Sequence, residues 1–572
     1  MSIIQFQEAN CKNCYNCVRH CQVKSIAVKN EQAQILEEGC ILCGHCFAVC
    51  NQNAKYVQSD VNKVRDFLRK GNKVYISMAP SHAKSFPGVT LGQLNTAAKQ
   101  LGFTSVEETA IGAGWVSAEY RKLAKEGKMR NIITTACPTV VMLVEKYYPQ
   151  LTDCLAPVVS PMVAHARIMR EIYGDRIKIV FVGPCISKKK EAEDSGIINA
   201  TLSFDELKAL FAEKQIVPVE LDPSGYEMKG TINRMYPVNG GILRTVLWDK
   251  SMKYQRLAVD GLDRCMQILD ELSDEKMKGY FVEMSACDGV CLGGPLEQKH
   301  LSSYLSGQEL VKANVRRSST LPAPISEKVE VDLSTDYTKE KAYKEDIPDE
   351  ETILKILAST GKADPKMQLN CGTCGYPTCR DKAIAVYQGK ADANMCLPFM
   401  REKAESYSNF VLDNTPSAVF VFDEDLKILD YNLAAIKMFD LTDLDYHGMP
   451  MDMILDSDEL VQAKDAENHT LERRVFFKHM NLTVEEKVIY IPDHNNFMLL
   501  IEDITEELKK QEHIKQMREN TLSTAQKIID KQMRTAQEIA SLLGETTGES
   551  KAVLTNLKKS IMADIESEIK EE

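Results

Sequence analysis

Phe281-Val-Glu-Met-Ser-Ala-Cys287-Asp-Gly-Val-Cys291-Leu-Gly-Gly-Pro295 sets two thiols four residues apart beside a Gly-Gly-Pro turn. Two lone cysteines sit in similar surroundings: Cys137 in Thr-Thr-Ala-Cys-Pro-Thr and Cys185 in Val-Gly-Pro-Cys-Ile-Ser-Lys-Lys-Lys-Glu. Each follows an apolar run that reads as a buried strand, Asn131–Thr134 and Lys178–Val182, so each thiol falls at a strand's C-terminal edge. Four thiolates gathered there could hold an iron–sulfur cluster. Unrelated core thiols are the alternative, since free cysteine is among the most buried residue types.

At 572 residues the chain has room for several domains, each with its own core. A hydrophobic share of 44% with 27% charged residues excludes the disordered and fibrous classes. The net charge of −12 argues against a broad nucleic-acid-binding face. Met1–Glu8 lacks the basic and apolar regions of a signal peptide, and no apolar run is long enough to span a membrane. The 18 cysteines are grouped as metal ligands rather than as a disulfide scaffold, so the cytoplasm is the expected compartment.

Cys11, Cys14, Cys17 and Cys21 form Cys-x2-Cys-x2-Cys-x3-Cys, and Cys40, Cys43, Cys46 and Cys50 repeat that spacing. This duplication resembles the bacterial two-cluster ferredoxins. The resemblance implies two [4Fe-4S] clusters with crossed ligation: Cys50 completes the set Cys11, Cys14, Cys17, and Cys21 completes the set Cys40, Cys43, Cys46. Zinc is the alternative, but it favours paired Cys knuckles. The proline that follows the last cysteine in that family is Gln22 in one half and Asn51 in the other. His20 and His45 are expected at the surface.

Residues 61–320 read as α/β. Strand candidates Lys73–Met78, Asn131–Thr134 and Lys178–Val182 alternate with helical patterns over Leu91–Leu101, Val116–Glu126, Pro161–Tyr173 and Phe204–Glu213. One parallel sheet covered by helices on both faces is expected, with the site on loops at its strand ends. A two-cluster ferredoxin segment followed by Cys137-Pro138, Pro184-Cys185-Ile-Ser-Lys-Lys and Cys287-Asp-Gly-Val-Cys291-Leu-Gly-Gly resembles the [FeFe]-hydrogenases across about residues 1–320. That resemblance implies that Cys137, Cys185, Cys287 and Cys291 bind the [4Fe-4S] part of an H-cluster. Cys291 would bridge to a two-iron subsite carrying CO, cyanide and azadithiolate. Pro80 and Ser81, in Met-Ala-Pro-Ser, and Lys188 match the family's cyanide-binding positions. A buried ammonium is a charge-assisted donor to a cyanide nitrogen; one of three solvated lysines is the alternative for Lys188.

Departures from the family pattern are equally informative. Ala136 stands where fast members carry a proton-donating cysteine. Gly183, Met162 and Ser285 replace a methionine, a glutamine and a methionine of the family. Of the family's glutamate-rich proton path, expected near Ser105–Tyr120, only Glu119 aligns. Glu191, Glu193 and Tyr120 are alternative relay candidates, each expected on a solvated surface. These substitutions resemble the sensory branches of the family and imply slow turnover. Met235-Tyr-Pro-Val-Asn-Gly-Gly241 reads as a turn with no assigned chemistry, and Cys154 and Cys265 as buried structural thiols.

Leu321-Pro-Ala-Pro-Ile325 and the charged stretch Val329–Thr352 read as a connector and lead-in helix. Cys371, Cys374, Cys379 and Cys396 then give Cys-x2-Cys-x4-Cys-x16-Cys, which resembles a small four-cysteine cluster domain of sensory hydrogenases. It implies a third accessory [4Fe-4S] cluster, with a zinc knuckle as the alternative. Asn414–Ala435 shows two short strands about an acidic turn and then a helix, resembling the opening of a PAS domain, with Asn495–Ile504 as its last strand. His447, His469, His479 and His494 are expected in solvated or packing roles rather than as haem ligands. Leu522, Ala525, Ile529, Met533, Ala536, Ala540 and Leu543 form a helical stripe; Gly544 and Gly548 break it, and Val553, Leu554, Leu557 and Ile561 begin a second.

The sequence thus predicts a multidomain α/β and α+β protein. It comprises a two-[4Fe-4S] ferredoxin-like domain at 1–60, an H-cluster domain at 61–325, and a connector with a third [4Fe-4S] domain at 326–400. A PAS domain at 401–510 and a helical dimerisation or signalling segment at 511–572 complete it. The resemblance implies a sensory hydrogenase that reversibly splits H2 into protons and electrons and relays its redox state to a separate phosphatase or kinase. Its redox partner would be a protein such as ferredoxin, and the chain would form a homodimer, without nucleic acid or membrane. The alternatives are a metabolic ferredoxin-linked hydrogenase and a non-catalytic iron–sulfur regulator.

Overall fold

A computed structural model describes residues 2–543 apart from 224–230, 298–303, 317–328, 443, 454–459 and 465, together with 552, 553, 555, 556 and 559. Leu321–Ile325, Gly544, Gly548, Leu554, Leu557 and Ile561 lie outside the described residues. The chain divides into two units, Met1–Met400 and Arg401–Glu572.

In the first unit, the cysteine duplication is a duplication of backbone. The short helices Asn16–Arg19 and His45–Ala48 carry Cys17 and Cys46. Before each helix the chain enters the left-handed region at matching positions of the two repeats, Asn13 with Tyr15 and Leu42 with Gly44. Such φ values tighten the loop so that three cysteines face one centre. Two antiparallel pairs, Ile4–Phe6 with Lys55–Val57 and Ile26–Lys29 with Gln32–Ile35, close the module.

The α/β region holds two parallel sheets rather than the one expected. The first has the order Ser105–Glu108, Val74–Met78, Lys178–Val182, Ala200–Leu202; the second has the order Gln255–Asp260, Tyr280–Ser285, Ile132–Ile133. Apolar runs bury both faces of the inner strands Val74–Met78, Lys178–Val182 and Tyr280–Ser285, whereas the edge strand Gln255–Asp260 is only partly buried. Helices Pro161–Tyr173 and Phe204–Glu213 fall where the 3.6-residue pattern puts them. Ser203 and Glu206 cap the latter reciprocally. The helix expected at Val116–Glu126 begins earlier, at Ala110, because a run of alanine and glycine gives little periodicity to read. The lead-in stretch Val329–Thr352 is mostly irregular; its helix runs from Glu350 to Ala358, with Asp349 as N-cap.

In the second unit, a five-stranded antiparallel sheet has the order Ile428–Tyr431, Ala418–Phe422, Asn496–Asp503, Leu482–Ile491, Thr470–Phe477. Phe420, Phe422, Val488, Leu499 and Ile501 form its core. His447, His469, His479 and His494 are all exposed. Thr505–Leu543 is a single helix along which Leu522, Ile529 and Met533 are only half-exposed. No helix among the described residues is long and apolar enough to cross a membrane.

Candidate functional site

The C-terminal ends of four strands, two from each sheet, deliver the site. Val74–Met78 leads to Pro80 and Ser81, and Lys178–Val182 to Cys185. Ile132–Ile133 leads to Cys137, and Tyr280–Ser285 to Cys287 and Cys291. All of these residues, with Lys188, line one cavity of about 110 Å³. The thiols that the sequence scatters over more than a hundred residues thus face a common space.

Local geometry fixes each one. Cys137 is the N-cap of helix Pro138–Tyr147, with proline at the first helical position. Between Cys287 and Cys291 the chain turns through Gly289 and Val290, both at positive φ (78° and 56°). That conformation is strained for a β-branched residue, and such strain concentrates at functional sites. A Cβ on Gly293 would lie 1.7 Å from the Asp288 carbonyl oxygen, so only glycine lets the loop close.

Burial pushes the Cys137, Cys287 and Cys291 thiols up, Cys291 to about 12, and the neighbouring thiols add to the rise. The accessible surface of Cys291 belongs to the cavity wall. Lys188 works in the opposite direction on Cys137 and Cys291. Burial favours the neutral thiols, so holding four thiolates in so apolar a space would take more positive charge than one ammonium, such as a metal cluster would bring. The Lys188 Nζ donates to Ser160 Oγ at 2.8 Å and Glu191 Oε2 at 2.6 Å, which leaves one of its three donors for a bound group. Ser81 is 2% exposed and its hydroxyl has no hydrogen-bond partner among the described residues. A buried orphan hydroxyl in a cavity wall fits a polar ligand that occupies the cavity. The donor set therefore fits an H-cluster.

Ala136, Met162 and Ser285 also line the cavity, and so does Phe181. A Cβ on Gly183 would meet the Phe181 ring at 2.8 Å, so this ring occupies the space beside the position of the family's methionine. Tyr236 and Pro237 from the Met235–Gly241 turn stand in the wall too. The relay candidates are rearranged. Glu119 forms a surface pair with Lys122 rather than facing inward. Tyr120 is not solvated but wholly buried, and bonds to Thr135. Glu191 is partly buried against Lys188, and Glu193 is exposed. Cys154 and Cys265 are buried away from the cavity wall.

Three further quartets lie in the same unit. Cys50 joins Cys11, Cys14 and Cys17 around one pocket, while Cys21 is electrostatically grouped with Cys40, Cys43 and Cys46. Backbone N–H groups of Ser25, Leu42 and Ala54 donate to the sulfurs of Cys21, Cys40 and Cys50 at 3.3–3.4 Å, the kind of contact that tunes cluster potentials. Cys371, Cys374, Cys379 and Cys396 rim another pocket. Among the described residues no three His, Cys, Asp or Glu side chains converge tightly enough for a single metal ion. His20 is exposed, whereas His45 is half-buried rather than a surface residue, and burial lowers its pKa.

Residues 72–295 match the family model of the iron-only hydrogenase large subunit, C-terminal domain. Residues 368–398 match an Fe-S cluster family, and 407–475 a PAS domain. Iron hydrogenase 1 of Clostridium pasteurianum is 24% identical over 301 residues, 41% of this chain and 52% of that protein. The NADP-reducing hydrogenase subunit HndD of Solidesulfovibrio fructosivorans is 25% identical over 215 residues, 32% of this chain and 37% of that protein. The chain thus spans about half or less of the length of these curated relatives. Among solved structures, [FeFe]-hydrogenase HydA1 from Chlamydomonas reinhardtii aligns at 19% identity and a TM-score of 0.39, covering 46% of this chain and 91% of that one. The PAS domain of an HTR-like protein from Haloarcula marismortui aligns at 17% identity and a TM-score of 0.16, covering 18% of this chain and 95% of that one.

Proposed function

We propose that this PAS-containing, [FeFe]-hydrogenase-like chain is a slow, sensory hydrogenase that interconverts H2 with protons and electrons at an H-cluster. The observation that carries the reading is the convergence of Cys137, Cys185, Cys287 and Cys291 with Pro80, Ser81 and Lys188 on one cavity, inside the segment that matches the hydrogenase family. When bound, the cluster would supply the open iron and the basic amine between which H2 is split. The four thiolates would hold its cubane, Cys291 shared with the diiron unit. Lys188 and Ser81 would donate to the cyanide nitrogens, and Pro80, Met162 and Phe181 would keep water away. Low turnover would follow from Ala136 in the cavity wall, which cannot carry a proton where fast members of the family place a cysteine.

Electrons would leave through the three accessory quartets. Lys146 donates to the Cys40 carbonyl at 2.8 Å, which ties the duplicated module to the hydrogenase region. Arg19 and Lys24 donate to the Thr373 and Gly375 carbonyls, which ties it to the third quartet. The cluster redox state would bias the PAS and helical unit, and through it a separate output enzyme, provided that reduction stabilises one of two conformations. The test is infrared spectroscopy of the full chain after diiron maturation, under H2 and under inert gas. CO and cyanide bands that shift at low H2, together with slow turnover, are expected. Their absence from protein with intact accessory clusters overturns the reading.

A further inference from the structure

We infer that protons reach the cavity along a file of side chains that runs Glu107, His165, Ser77, Thr109. The inference rests on the hydrogenase reading above. Thr109 lines the cavity. Its Oγ1 lies 2.8 Å from Ser77 Oγ, which lies 2.8 Å from His165 Nδ1. His165 is 0% exposed, and among the described residues its Nε2 has no hydrogen-bond partner within bonding distance; the Glu107 Oε2 stands 3.5 Å away. Glu107 is 14% exposed and accepts a hydrogen bond from the hydroxyl of Tyr173, itself 41% exposed. The file therefore connects the cavity wall to solvent.

A core does not need these groups. Ser77 sits between Ile76 and Met78 in a strand buried throughout, where an apolar side chain would pack without needing a hydrogen-bond partner. Burial pushes the Glu107 carboxyl up, but His165 and Tyr173 outweigh it and hold the group below the ordinary carboxylate range, so it stays ionised beside the imidazole. The 3.5 Å step is slightly beyond direct transfer distance, and a small side-chain movement closes it. Lys188 and Glu191 offer a shorter exit, but relaying through that ammonium would discharge the cation that offsets the thiolates.

The transfer balances without a further reagent. A proton from water binds Glu107; its O–H bond breaks as an N–H bond forms at His165 Nε2. The Nδ1 proton passes to Ser77, the Ser77 hydroxyl proton to Thr109, and the Thr109 hydroxyl proton into the cavity. The file ends with the charge it began with, Glu107 again a carboxylate and the imidazole neutral in its other tautomer. Rotation of the hydroxyls and a flip of the imidazole ring reset it. Oxidation of H2 runs the same steps outward.

Thr109→Val, Thr109→Ser and Ser77→Ala in the matured full-length protein test this. All three should keep the wild-type CO and cyanide bands. T109V and S77A should slow H2/D2O exchange at least about tenfold, and T109S should stay within about twofold. After a pH jump, infrared relaxation of T109V and S77A should slow by the same factor while the final populations stay those of the wild type. A packing defect would not give that split. Wild-type exchange and relaxation in T109V and S77A, or T109S as slow as T109V, would overturn the file and leave the hydrogenase reading standing. A wild-type protein with no CO or cyanide bands would remove both.

Discussion

Glu283 points from the Tyr280–Ser285 strand into the protein, 2% exposed, with the Leu243 amide 2.9 Å from its Oε2 and no partner for Oε1 among the described residues. Burial raises its pKa from 4.5 to about 7, against the lowering effect of the backbone amides of Gly240–Leu243. Below about pH 4.5 the carboxyl is protonated in folded and unfolded chains alike and has no net effect. As pH rises from 4.5 through 7 the unfolded chain releases its proton first, so folding stability is lost across that window. A tenfold difference in proton affinity between the two states is worth about 1.4 kcal/mol, so the loss amounts to a few kcal/mol. Glu283→Gln should remove that slope: in chemical unfolding it should be the more stable protein at pH 8, by a few kcal/mol relative to the difference at pH 4.5. Parallel pH profiles for the two proteins would show that the burial is not felt. The sequence displays this residue as one acid in an apolar run and gives no sign of its surroundings. Cys137, Cys185, Cys287 and Cys291 are legible because metal-ligand chemistry restricts residue type. Tyr236, Val290 and His165 are not, because their roles come from residues distant in the chain.

At the scale of elements, the cysteine loop between Gly289 and Gly294 depends on backbone geometry rather than on its side chains. Gly293→Ala would place a methyl against the Asp288 carbonyl, a contact relieved only by opening the loop that spaces Cys287 from Cys291. The variant should keep its far-ultraviolet circular dichroism, because the strands that deliver the loop are untouched. Before diiron maturation, iron content should fall by about four atoms per chain, one cubane, and the maturation that follows should fail. Full iron loading in that variant would show that the loop tolerates the opening. Periodicity located strands such as Lys178–Val182 and helices such as Pro161–Tyr173 because their patterns are local. The split into two sheets was not legible: Ile132–Ile133 pairs with Phe281–Val282, and no local pattern encodes a partner so far along the chain.

At the scale of the whole molecule, composition marks where the cysteine-rich and cysteine-free parts fall, but not which module touches which. Lys24 shows how that assembly is made within Met1–Met400. Its Nζ donates to the Val18 carbonyl at 3.2 Å and the Gly375 carbonyl at 2.8 Å, and lies 5.9 Å from the centre of the Tyr376 ring. It therefore joins the duplicated module to the loop of the third quartet, and its charge acts on both Cys21 and Cys374. Burial lowers its pKa, and the attraction of those two thiols opposes the fall. A reduced cluster carries one more negative charge than an oxidised one, so a nearby ammonium favours reduction and raises the potential. Lys24→Met keeps the length of the side chain and removes the charge. The potentials of the clusters held through Cys21 and through Cys374 should then fall by on the order of tens of millivolts, while that of the Cys11, Cys14, Cys17 and Cys50 set remains within error. Redox titration followed by electron paramagnetic resonance reads all three. Unchanged potentials would mean that solvent screens Lys24 from both clusters, and a uniform fall of all three would mean that the module has shifted rather than lost a local charge.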